Sequence, residues 1–198
     1  MPSITRATDL AMVGSNGGAW TVDMGAVAPT APTDFSDLGA PWLPVGAISD
    51  NGLKIGFSED NTPFTPWGET TPFRVVITKS MRTFDLTLWE TQRAICKSLW
   101  YRQPVAAFTP SVSGIVSWAE SASPPPDRRS WVWDIYDGET MERYFAPLAE
   151  VTDRTDMTAK QGEMMGYETK ITCYPDSLGN TLYHLATVDV LSSTGTES

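Results

Sequence analysis

Covalent or metal chemistry in this chain would have to start from histidine, cysteine or clustered carboxylates. The sequence has one histidine, His184, and two cysteines, Cys96 and Cys173. His184 has no second histidine or cysteine at ligand spacing, so neither a tetrahedral zinc site nor a Ser-His-Asp relay can be built around it. Two carboxylate groups remain, Asp153 with Asp156 and Glu163, and Asp134 with Asp137. General acid–base work needs one carboxyl with a raised pKa, through burial or a close like charge; both groups lie in polar, turn-like sequence where carboxylates stay solvated. Gly14-Ser-Asn-Gly-Gly18 lacks the Lys-Ser/Thr that completes a phosphate-binding loop. The expectation is a protein that is no enzyme and holds no metal and no cofactor.

Composition narrows the class further. The chain has 198 residues, 41% of them apolar, with eight Trp and seven Phe. That is enough for one full-sized core with extended arms and too little for two ordinary domains. Net charge is −10, which excludes a grip on phosphate backbones, since that takes clustered Lys and Arg to release counterions. Charged residues make up only 19%, which fits a surface partly covered by neighbours. Two cysteines make no disulfide framework, and both read as buried thiols. There is no basic start followed by an apolar run, and no stretch of roughly 18 apolar residues that could span a bilayer. A chain made in the cytoplasm, with no membrane partner, is expected.

The elements that would position these residues are mostly strands. Val45–Ile48 and Leu53–Phe57 flank Ser49-Asp-Asn-Gly52, a turn signal because Asn and Gly tolerate positive φ, and read as a hairpin. Ser58 to Thr71, rich in Pro and polar residues, reads as a stiffened loop carrying Glu59, Asp60, Phe64, Trp67 and Glu69. Phe73–Thr78 and Thr83–Leu88 alternate with period two. Phe73, Val75 and Ile77 fall on one side of the first strand, and Thr83, Asp85 and Thr87 form a polar face on the second. Residues 90–101 favour helix, with Ile95 and Leu99 on one face.

Further along, Gly114–Ala119 and Trp131–Tyr136 are expected to pair across the prolines at Ser123–Asp127, with Trp118, Trp131 and Trp133 in the core. Asp137-Gly138 marks a tight turn into Thr140–Val151, read as strand, and Tyr167–Tyr174 is the last clear strand, with Glu168, Lys170 and Thr172 on its polar side. Trp20–Met24 reads as an edge strand, and Ser192–Ser198 as disordered.

This order of elements resembles the major tail (tail tube) proteins of long-tailed bacteriophages, particularly those of actinobacterial phages. The likeness is carried by Trp42–Leu53, Phe64-Thr-Pro-Trp-Gly68, Thr83–Thr91 and Gly166–Asp176, which belong to a region spanning roughly two thirds of the chain. It implies a mostly β fold with one flanking α-helix, a sandwich or barrel whose sheets join between subunits into a ring. The corresponding divisions are an N-terminal arm over 1–40, a tube domain over 41–176 with a stacking loop at 58–71, and a C-terminal tail over 177–198. It further implies stacked, hexameric rings forming a conduit for DNA, which passes without specific binding. Glu59, Asp60, Phe64, Trp67 and Glu69 would stack one ring on the next, aided by the arm and tail. Thr83, Asp85, Thr87, Glu168 and Lys170 would face the lumen. The partners implied are the chain itself, the tape measure protein, the tail terminator and the distal tail proteins, in the virion tail. Two other readings stay open: a carbohydrate-binding β-sandwich, suggested by the tryptophans, and a tail terminator or head–tail joining protein of the same fold.

Overall fold

The structure, a computed structural model, describes residues 11–187. The outer parts of the expected N-terminal arm and C-terminal tail, residues 1–10 and 188–198, lie outside the described residues, and with them the expectation of disorder at Ser192–Ser198.

Eight strands form one antiparallel sheet: β1 (Asn16–Thr21), β2 (Leu43–Pro44), β3 (Lys54–Phe64), β4 (Arg74–Leu88), β5 (Arg128–Asp137), β6 (Thr140–Arg154), β7 (Tyr167–Tyr174) and β8 (Tyr183–Ala186). Their order is β2-β1-β5-β6-β7-β4-β3. Strand β6 holds β5 along one edge; along the other it holds β8 at Glu142–Phe145 and then β7 at Leu148–Arg154. One helix, α1 (Ala94–Tyr101), flanks the sheet. The expected mostly β class with a single flanking helix is therefore what the chain adopts, as one curled sheet rather than two stacked ones. Leu43 and Pro44 pair with β1 while Ile48 bridges Leu88 of β4, so this short segment ties the two margins of the sheet together.

The core fills the inside of the curl beneath α1. Trp131 and Trp133, two residues apart on β5 and so on one face, are both buried, and Phe84 from β4 stacks on Trp133 at 3.8 Å between ring centroids. Ile95 and Leu99 of α1 close the core as their spacing predicts. Cys96 and Cys173 are buried free thiols.

Several expectations are corrected. Residues 53–57 do not pair back on 45–48. The Ser49–Gly52 turn forms, with Gly52 at φ +67, but β3 pairs with β4 instead. The expected loop 58–71 is strand as far as Phe64, because Ser58–Asn61 find backbone partners in β4 although their side chains are polar. Gly114–Ala119 is irregular and pairs with nothing; β5 takes β1 and β6 as neighbours. Trp118 is half-buried outside the core, against Tyr101 and Phe108. The helix begins at Ala94 rather than residue 90, since Glu90 to Arg93 form a turn. Strand β1 is an inner strand between β2 and β5, and β8 joins β6, so parts of the expected arm and tail belong to the sheet.

Candidate assembly site

The largest group of exposed apolar side chains among the described residues lies on a ribbon formed by β3 and β4 and the turn that joins them. Strand β7 accompanies β4 only from Arg82 to Leu88, and β3 has no strand on its outer side. Beyond that point the two strands run on alone, from the Ser58–Met81 pair to the Phe64–Arg74 pair. Both edges of this arm carry unpaired peptide groups. A bulge between Asp60 and Asn61 shifts its register, with the Thr78 hydroxyl donating to the Asp60 carbonyl at 3.1 Å.

The tip is closed by the Phe73 N–H donating to the Phe64 carbonyl at 2.9 Å, and within it the Glu69 N–H bonds to the Pro66 carbonyl at 3.2 Å. Gly68, at φ +84, occupies the turn position that needs a left-handed residue, which leaves Trp67 at the apex. Trp67 is fully exposed, and Phe64, Phe73, Val75 and Ile77 are exposed along the arm. The period-two pattern of Phe73, Val75 and Ile77 is thus real, but nothing in the described chain covers that face. Contiguous apolar surface of this kind on a folded chain marks a place where another molecule sits.

Of the five residues expected on a stacking loop, Phe64, Trp67 and Glu69 lie at or near the tip. Glu59 and Asp60 lie nearer the root. Glu59 accepts from Arg82 at 3.2 Å and from the Ser80 hydroxyl at 3.1 Å, holding the two strands together.

The five residues expected to share a polar face do share one. Across β4 and β7, Thr83 is opposite Thr172, Asp85 opposite Lys170, and Thr87 opposite Glu168; across β3 and β4, Asp85 is opposite Lys54. Asp85 therefore stands between two ammonium groups, at 4.0 Å from Lys54 and 3.9 Å from Lys170. Contacts this long on a partly exposed surface are weak, and they make the face more evenly charged than its carboxylates alone suggest.

Three of the carboxylates considered for catalysis, Asp134, Asp137 and Glu163, have other partners. Asp134 is buried in a two-pronged pair with Arg143 at 2.7 and 2.6 Å and accepts from the Tyr136 hydroxyl at 2.8 Å. Asp137 accepts the Val13 N–H, and Glu163 pairs with Lys160. Among the described residues no group of three or more His, Cys, Asp and Glu could hold a metal ion. His184 meets the Tyr144 ring edge-on at 5.0 Å.

Sequence reading missed the buried guanidinium anchors. Arg143 also donates to the carbonyls of Asp34 at 2.8 Å and Ser36 at 3.0 Å, pinning the segment between β1 and β2 to the sheet. Arg129, wholly buried, forks onto Asp127 at 2.7 Å twice and reaches the Ser98 hydroxyl of α1 at 2.8 Å. The only sequence trace of the second is an acid two residues before an arginine, a spacing that brings both to one side of a strand. Glu90 is a third anchor: its carboxylate accepts the Ala47 N–H at 2.8 Å and pairs with Arg93, which holds its pKa below the usual range. Gly46, at φ +83, sits where a side chain would strike that carboxylate.

An uncovered apolar arm suits assembly, and the comparison with protein families agrees. The model of the phage tail tube protein family matches residues 5–194. This chain belongs to that family. No curated protein matches the sequence. As a phage tail tube protein it is a structural component of the virion tail, in a family that is not one of enzymes. No helix among the described residues is long and apolar enough to cross a membrane.

Proposed function

We propose that copies of this chain close into hexameric rings, and that the rings stack into the tube of a long-tailed phage of the actinobacterial-phage type, through which DNA leaves for the host. One observation carries this reading: the β3–β4 arm projects apolar side chains and two open strand edges that no described residue of its own subunit covers. Open edges are liabilities unless paired, and pairing them around a closed rotation turns them into the assembly bond. The arm tip, with Phe64, Trp67 and Glu69, makes the contact between rings. Glu59 and Asp60 hold its root.

The face bearing Thr83, Asp85, Thr87, Glu168 and Lys170 lines the channel. Its alternating charges and short hydroxyls give a wall that DNA can slide along without being gripped, since tight binding needs an excess of cations. Tape measure, tail terminator and distal tail proteins are the partners at the ends and inside the tube. Between the tube and the alternatives left open by sequence, a carbohydrate module or a terminator, the family match favours the tube.

The test is electron microscopy with sedimentation of the purified chain over a range of concentrations. Rings and tubes are expected. A compact monomer under every condition would sink the proposal, and single rings that never stack would point to a terminator.

A further inference from the structure

A cleft of about 460 Å³ opens between the start of β1 and the turn that precedes β3. Gly17 and Gly18 line one side, and Ala47, Ile48 and Leu53 the other. Ser49 stands in its wall, 6% exposed, and the Ser49 hydroxyl is buried with no hydrogen-bond partner. Buried polar atoms in folded proteins are rarely left so, and an unpaired one asks what completes it. At the other end of β3 stands Trp67, a large apolar side chain with one N–H donor, fully exposed on a turn already fixed by Gly68.

We infer that this cleft is the seat for the Trp67 indole of a second copy of the chain. The indole lies against the glycine-lined wall, and a rotation of the Ser49 side chain brings its hydroxyl, buried and unpaired in the free subunit, to the indole N–H. The subunit cannot fill its own cleft with its own tip. The cleft adjoins Leu53 at the start of β3, while the tip follows Phe64 at its end, and a strand of eleven residues spans roughly 35 Å. A knob at one end of a rigid ribbon and a hole at the other make a head-to-tail contact, the kind that propagates from copy to copy. The cleft volume is sufficient for one indole, and a rigid aromatic side chain that loses its water on docking is the usual form of a dominant contact residue.

The inference rests on the tube reading and names the place that receives the arm. Two chains with one added cysteine each test it, Glu69→Cys beside the knob and Asp50→Cys on the cleft rim, mixed under assembling conditions and oxidised. The native thiols are buried and give no background. A disulfide joining one chain of each kind is expected, and it should be lost when the first chain also carries Trp67→Ala. Tubes that form without this bond, or a bond that survives Trp67→Ala, overturn the seat and leave the tube standing. A mixture that stays monomeric overturns both.

Discussion

Arg143 donates to Asp134 on one side and to two carbonyls of the 34–36 segment on the other. Removing one partner of a buried pair strands the other charge, so Arg143→Ala should cost about 3–5 kcal/mol of stability. Urea unfolding would read this, and Asp134→Asn in the same chain should recover part of the loss. The thiols carry a second prediction. Burial pushes Cys96 and Cys173 up to about 12 from an ordinary 9.0, and burial and the Asp134 hydrogen bond push Tyr136 to about 12 from 10.0. The unfolded chain therefore ionises first. Stability from these groups is fully present below pH 9, falls as pH rises from about 9, and is lost by about 12. A melting temperature that is steady from about pH 6 to about pH 9, where the lowered carboxylates are ionised and the thiols neutral, and declines above it is expected, with a shallower decline in Cys96→Ala. Unchanged slopes in that variant would contradict the assignment.

At the level of elements, the assembly role proposed for the arm would separate folding from assembly. Phe64 and Trp67 touch no core residue named above, so replacing both with serine should leave the melting temperature of the subunit within a degree or two, as surface changes do. Stacking should be lost, visible as rings or monomers in place of tubes. Tubes of normal length from this variant would remove the arm from the contact. Trp133→Ala is the contrasting change. It empties the stack with Phe84 and should cost about 3–5 kcal/mol.

The same contrast explains what could be read in advance. Tyr167–Tyr174 and the Asp137-Gly138 turn came straight from alternation and turn chemistry because both are local signals. The partner of Leu53–Phe57 did not, since pairing is chosen by strands far along the chain. Ser58–Asn61 and Pro63 gave no apolar alternation because a ribbon bathed in solvent has no buried side to record. Ile115, Val116 and Trp118 misled in the other direction, their apolar content coming from Trp118 docking on Tyr101 rather than from a ladder. The polar face was legible from Thr83, Asp85 and Thr87 and from Glu168 and Lys170, but not the approach of Lys54 to Asp85, which depends on β3 pairing with β4.

On the scale of the whole molecule, the proposed tube makes the balance of charge on that face decide how a long polyanion moves past it. Asp85→Lys would put three ammonium groups in a row across β3, β4 and β7, repeated in every subunit. Tube assembly should be largely unaffected, while DNA ejection should slow and become sensitive to salt, because each added cation releases counterions on binding. Ejection followed by dye release at several ionic strengths measures this. An unchanged rate would show that these side chains face away from the path of the DNA.

The bulge between Asp60 and Asn61 has a mechanical meaning. A ribbon with one interrupted rung is softest at that rung. In the proposed tube, bending would then displace neighbouring subunits at that exposed joint and leave the Trp131–Trp133 stack of the body at its spacing, so that the fibre could curve while its bore stayed round.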